Sequence, residues 1–92
     1  MLRTRGNIGM YEAQVTISLK KGISDPEGAN TLKALHLLGF TDVKTAHTIR
    51  TFDLLIDATD KNKVEHDVEA MCQRLLTNPV IHHYTITVKE TH

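Results

Sequence analysis

From Tyr11 to Lys20 apolar and polar residues alternate without a break: Tyr11, Ala13, Val15, Ile17 and Leu19 against Glu12, Gln14, Thr16, Ser18 and Lys20. A period of two over that length fits a half-buried β-strand and does not fit a helix. The pattern returns in Phe52, Leu54 and Ile56 against Asp53, Leu55 and Asp57, and again in Tyr84, Ile86 and Val88 against Thr85, Thr87 and Lys89. Val43 to Ile49 reads as a weaker, Thr-rich strand, joined to the Phe52 strand by an antiparallel hairpin with no Asn-Gly or Asp-Gly to fix its turn.

Two helical segments separate these strands. The first starts at Ser24-Asp25-Pro26-Glu27, where either Ser24 and Glu27 form a capping box or Asp25 is the N-cap with Pro26 at the first helical position. Ala29, Leu32, Leu35 and Leu38 make its inner stripe. Gly39 suits the left-handed residue that closes a helix, and Phe40 can fold back on the last turn. The second helix starts at the N-cap Asp60 and carries Val64, Val68, Met71 and Leu75 on one face. Asn78-Pro79 ends it, because proline disfavours helical geometry in the residue before it. Strand, helix, strand, strand, helix, strand is the order of an α+β, two-layer, ferredoxin-like plait. The expectation is an antiparallel four-stranded sheet with both helices on one face.

With 92 residues the chain makes one domain. Residues 1–9 read as a disordered N-terminal extension and 10–92 as the folded unit. Full burial of a large apolar side chain contributes about 1.5–3 kcal/mol. The few inward positions named therefore give on the order of tens of kcal/mol, against chain entropy of similar size. The protomer is expected to be marginal alone. The opposite sheet face, with Gln14, Thr16, Ser18, Leu55, Thr85 and Thr87, is polar but nearly uncharged, which suits an interface centre and self-association.

Charge and motifs narrow the function. Eleven Lys and Arg balance eleven Asp and Glu, so no broad basic face is available to hold nucleic acid or a membrane surface. RNA-recognition plaits stack bases on sheet aromatics, whereas Phe52, Tyr11 and Tyr84 fall in the core register. No apolar run approaches the ~20 residues that span a bilayer. The single cysteine, Cys72, excludes an internal disulfide and any paired-Cys metal site, and points to a reducing cytoplasm. It lies mid-helix and reads as structural. His82 and His83 point to opposite faces of a strand, and His36, His47, His66 and His92 fall on other segments, so no metal site is expected. Glu65, Asp67 and Glu69 read as a solvated helix face paired by Lys61 and Lys63. Lys20-Lys21-Gly22 before a helix N-terminus could hold a phosphate, but Asp25 and Glu27 already place negative charge there, and a solvated turn is the simpler reading. No nucleophile–base pair or phosphate-binding loop occurs, and no catalytic residue is expected.

Three stretches, Val15–Gly28 (VTISLKKGISDPEG), Leu35–Phe40 (LHLLGF) and Met71–Tyr84 (MCQRLLTNPVIHHY), together resemble the PurS family. These are the small subunits of the multi-subunit phosphoribosylformylglycinamidine (FGAM) synthase of purine biosynthesis. The match runs in register from Met10 to about Lys89. One departure stands at His47-Thr48-Ile49-Arg50: the family commonly shows Arg, a variable residue and Gly-Lys there, so Arg50 keeps the charge and Ile49 replaces the glycine.

The resemblance implies a non-catalytic adaptor within a ligase complex that converts formylglycinamide ribonucleotide (FGAR), glutamine and ATP to FGAM, ADP, phosphate and glutamate. It implies two partners, a glutaminase subunit that releases ammonia and a large synthetase subunit. It also implies a homodimer or homotetramer, in some cases with exchanged segments. ATP and Mg belong to the complex, and no cofactor is expected on this chain. The expected partner contacts are Lys20, Lys21, Gly22, Asp25, Pro26, Gly28, Asn78, Pro79 and Val80. Asp25, Pro26, Asn78 and Pro79 serve equally as helix punctuation. A different use of the same plait would be a regulatory module with a small molecule held between subunits.

Overall fold

The computed structural model describes residues 9–91. The elements are β1 (Met10–Leu19), α1 (Pro26–Leu37), β2 (Arg50–Asp57), α2 (Lys61–Met71) and β3 (His82–Glu90). The sheet is antiparallel, in the order β2-β1-β3. The alternation in β1 does what its period requires. Tyr11, Ala13, Val15 and Ile17 are buried on one face, opposite Ile56, Leu54, Phe52 and Arg50 of β2 and Glu90, Val88, Ile86 and Tyr84 of β3. Helix α2 covers that face with Val64 and Val68, both fully buried. The Asp60 carboxylate accepts from the Asn62 N–H, as an N-cap should.

Four readings of the sequence need correction. The sheet has three strands, because residues 43–49 form no strand. They run back beside α1, held by the His36 Nε2 bond to the Val43 carbonyl (2.7 Å) and by Thr48 bonds to Asp25. These bonds give the two ends of the segment, Val43 and Thr48, partners on α1 and its cap and not on the sheet edge.

Helix α1, in turn, does not lie on the sheet. Leu32 and Leu35 are half-buried, while Ala29 and Leu38 are exposed, Leu38 by 74 %. Among the described residues only α2 forms a second layer. The helix with its returning segment is an arm.

The apolar face of α2 also continues differently. Past Met71 the chain widens into a π-helical turn, Cys72–Leu76. Buried Cys72 and half-buried Leu76 continue the Val64–Val68 row, while Leu75 turns out, 81 % exposed, and Met71 is also exposed. Burial pushes the Cys72 thiol up, away from a reactive thiolate, so its structural role stands.

Fourth, the open sheet face is less free of charge than expected. Gln14, Thr16, Thr51, Thr85 and Thr87 form its uncharged middle, but Glu12, Asp53 and Lys89 cluster at one end. Lys89 pairs with Glu12 at 3.4 Å. A proton shared with Glu12 is held on Asp53, which donates it to the Glu12 carboxylate, so the Asp53 carboxyl lies above its ordinary value and the Glu12 carboxyl, also bonded by Lys89, below its own.

Residues 1–8 and His92 lie outside the described residues, so the extension read there is described only at Gly9. That residue is buried and sits at φ 87°, where a Cβ would come within 3.1 Å of the Ala58 carbonyl oxygen. No described helix is long and apolar enough to cross a membrane.

Since α2 alone seals the core, Val68→Ala should cost about 2 kcal/mol, from lost burial plus the cavity left behind. Urea unfolding measures it, and a loss below about 0.5 kcal/mol would mean that the helix does not carry the core.

Candidate functional site

Strand β1 runs out at Leu19, and the chain must turn before α1. Gly22, at φ 88°, makes that turn, and the Ile23 N–H donates to the Lys20 carbonyl (3.1 Å). The Lys20 N–H donates to the Ile81 carbonyl at 2.8 Å. That bond ties the turn after β1 to the turn before β3. In the second turn the Asn78 side chain accepts from the Val80 N–H (3.0 Å), and its carbonyl accepts from Ile81 and His82. The Asn78 N–H donates to His82 Nδ1 (2.9 Å). A neutral His82 therefore carries its proton on Nε2.

Asp25 settles the choice left open at the start of α1: it is the N-cap, with Pro26 at the first helical position. Its carboxylate accepts from the Gly28 N–H (3.0 Å), the Thr48 N–H (2.8 Å) and the Thr48 hydroxyl (2.9 Å). Bonds from the Thr48 and then the Gly28 backbone hold this carboxyl below the ordinary aspartate range, against a smaller opposing effect of burial. Gly28 is needed for closeness. A Cβ there would stand 2.4 Å from the Ala46 carbonyl oxygen, so the returning segment could not approach the helix. At the far end Gly39, at φ 101°, and Phe40 donate to the His36 and Leu35 carbonyls, the paired closure expected of that glycine.

Two clefts flank Asp25. One, of about 400 Å³, has Ile17, Leu19 and Leu76 in its lining, with Thr48, Arg50 and His82 around them. The other, of about 450 Å³, is lined by Lys20, Lys21, Ile23, His47 and Ile49. Ser18, Leu19 and Asp25 belong to both. All nine expected contact residues gather at this end of the sheet. Lys20, Lys21 and Gly22 line the second cleft, Pro26 the first, and Gly28 lies under the Ala46 carbonyl. Asn78, Pro79 and Val80 form the adjoining turn.

Sequence reasoning missed Thr48, Arg50 and His82. A signal existed for two of them. Arg50 takes the next place in the Ile56, Leu54, Phe52 series, and His82 the next in the Val88, Ile86, Tyr84 series, so each puts a polar head where the core pattern stops. Among the described residues no group of three or more His, Cys, Asp or Glu side chains is placed to hold a metal ion. The clefts present cations, hydroxyls, aliphatic groups and the carboxylates of Asp25 and Glu27, which suits binding.

A family model described as PurS, phosphoribosylformylglycinamidine (FGAM) synthase, matches residues 12–90. The phosphoribosylformylglycinamidine synthase subunit PurS of Methanocaldococcus jannaschii is 46 % identical over 81 residues, covering 88 % of this chain and 98 % of that protein. The crystal structure of M. jannaschii PurS, one of the subunits of formylglycinamide ribonucleotide amidotransferase in the purine biosynthetic pathway, superposes with a TM-score of 0.80 at 45 % identity. It covers 89 % of this chain and 99 % of that one. A chain of the PurLQS structure from Thermotoga maritima shares the fold, with a TM-score of 0.78 at 22 % identity, covering 87 % of this chain and 98 % of that one.

The Asp25 latch has a pH signature. Its folded value lies below the ordinary carboxylate range, so the contribution is complete above that range and is lost as pH falls through the lowered value. Protection of the Gly28 and Thr48 amides, relative to their intrinsic exchange rates, should fall only in that acid window. In Asp25→Ala protection should be low at neutral pH and unchanged across the window. Unchanged exchange in the variant would show that the latch does not hold the arm.

Proposed function

The chain belongs to the PurS family of phosphoribosylformylglycinamidine synthase subunits, and we propose that it serves that enzyme as a non-catalytic adaptor joining the glutaminase and synthetase subunits. One observation carries the reading: the two turns most like the family, Lys20–Gly28 and Asn78–Val80, are tied through the Lys20–Ile81 bond into one surface. A surface made of turns on a strand framework suits contact with other proteins. Holding two enzymes together raises their effective concentration. Binding the coupled arrangement more tightly than the separated one shifts the population toward it, so ammonia passes before it escapes. ATP, Mg and the reacting groups belong to the larger subunits, and this chain carries none. The place of action is the cytoplasm, in keeping with its single thiol.

The working unit is a homodimer or homotetramer. Leu32 and Leu35 are half-buried on the arm, and Leu37, Leu38 and Phe40 are exposed. A helix with that much apolar surface is stable in water only when covered. A second copy supplies a cover of matching character, through arms exchanged between protomers.

Adding the chain to the two larger subunits should raise glutamine-dependent FGAM formation well above ammonia-dependent formation. Equal glutamine-dependent rates with and without the chain would remove the adaptor role. Sedimentation should give a multiple of the protomer mass, and Leu38→Asp should shift it toward one protomer. A wild-type chain sedimenting as a single protomer would remove the self-association.

A further inference from the structure

We propose that the cleft at Arg50 receives an acidic segment of one of the larger synthase subunits, a carboxylate set beside an aliphatic side chain; this rests on the adaptor reading. The cleft combines two chemistries. Ile17, Leu19 and Leu76 offer an aliphatic wall, while Arg50 and His82 contribute hydrogen-bond donors. His82 accepts from Asn78 at Nδ1, which leaves its Nε2–H free to donate.

Among the described residues Arg50 has no carboxylate of its own. Among the described residues the ion pairs are Lys63 with Asp67 and Lys89 with Glu12. Asp25, in the same cleft, already accepts from three donors of Gly28 and Thr48. Glu27 also lines the cleft and forms no ion pair with Arg50. An unpaired guanidinium beside an aliphatic wall is suited to a two-pronged bond with an incoming carboxylate.

The surroundings fit a protein better than the other anionic candidates. Lys20 and Lys21 are also unpaired among the described residues, and Ile49 (57 % exposed) and Val80 (77 %) project at the same end. Arginine among exposed aliphatic groups is typical of protein interfaces. A small molecule would meet a cleft whose Pro26, Glu27 and Arg50 are themselves exposed, so much of it would stay in water. A protein segment brings its own cover. Nucleic acid would face Glu27 and a chain of zero net charge.

The test uses the full chain with both larger subunits, reading affinity at low and high salt for wild type, Arg50→Glu and Arg50→Gln. Arg50→Glu should weaken association at least tenfold at low salt, Arg50→Gln by less. Both should flatten the salt dependence, with the urea midpoint and the mass of the isolated chain unchanged. If wild type binds and Arg50→Glu binds equally well, the cleft proposal falls and the adaptor reading survives. If wild type binds neither subunit, both fall. If Arg50→Glu lowers the mass of the isolated chain, the occupant is a second copy. If inorganic phosphate shifts the His82 ring resonances of wild type but not of Arg50→Glu, the occupant is a small anion. Either of these last two results would overturn the acidic segment.

Discussion

Everything in this protomer hangs on β1. It is the strand with neighbours on both edges, and its Ala13 and Val15 are fully buried under α2. One helix on one face of a three-stranded sheet is a small core. Such a core gains little beyond the entropy lost in ordering the chain. The other long helix adds nothing to it, since α1 points its apolar residues elsewhere. The protomer is thus arranged around a surface it cannot cover itself, and this physical shortfall makes assembly part of the fold.

The arm is held where the chain leaves β1. Asp25 caps α1 and, through Thr48, ties down the segment that returns to β2. Gly28 lets that segment come close, and His36 fastens it further along. One carboxylate therefore sets both the start of the helix and the course of the chain after it. The bonds that fix the arm are the same ones that hold the Asp25 carboxyl below the ordinary aspartate range, so geometry and electrostatics here are one fact. They also occupy most of the acceptor sites of Asp25, and among the described residues neighbouring Arg50 forms no ion pair, which keeps that cation available to a partner.

An adaptor needs separate surfaces for its own copies and for the enzymes it joins. Here the apolar arm and the cationic turn end lie on either side of the Asp25 latch. Apolar cover of the arm contributes association free energy. The Lys20, Lys21 and Arg50 end contributes selection and rate of encounter with acidic surfaces. Neither task requires a reacting group, and the chemistry of the synthase can stay in the larger subunits.

The sequence by itself determined β1, β2 and β3 and their inward faces, the start of α1 to within one residue, the cap at Asp60, the closure at Gly39 and the structural role of Cys72. Each is a local matter: a pleat of period two, a side-chain acceptor near orphan N–H groups, a glycine at positive φ. It also determined the family, through turns with no general structural need to occur together. Only the tertiary structure decided what covers each apolar stripe. Ala29, Leu32, Leu35 and Leu38 give the same spacing whether a helix meets its own sheet or another chain, because periodicity records that a face is apolar and not what meets it. In residues 43–49, Val43 and Thr48 bond to His36 and to the Asp25 cap, 7 and 23 residues back, which no alternation could signal. Leu75 left the core because a wide turn shifted the phase of the helix. Arg50 and His82 line one cleft because β2 and β3 both begin at the far end of β1, on its two edges, and that neighbourhood exists only once the sheet has formed.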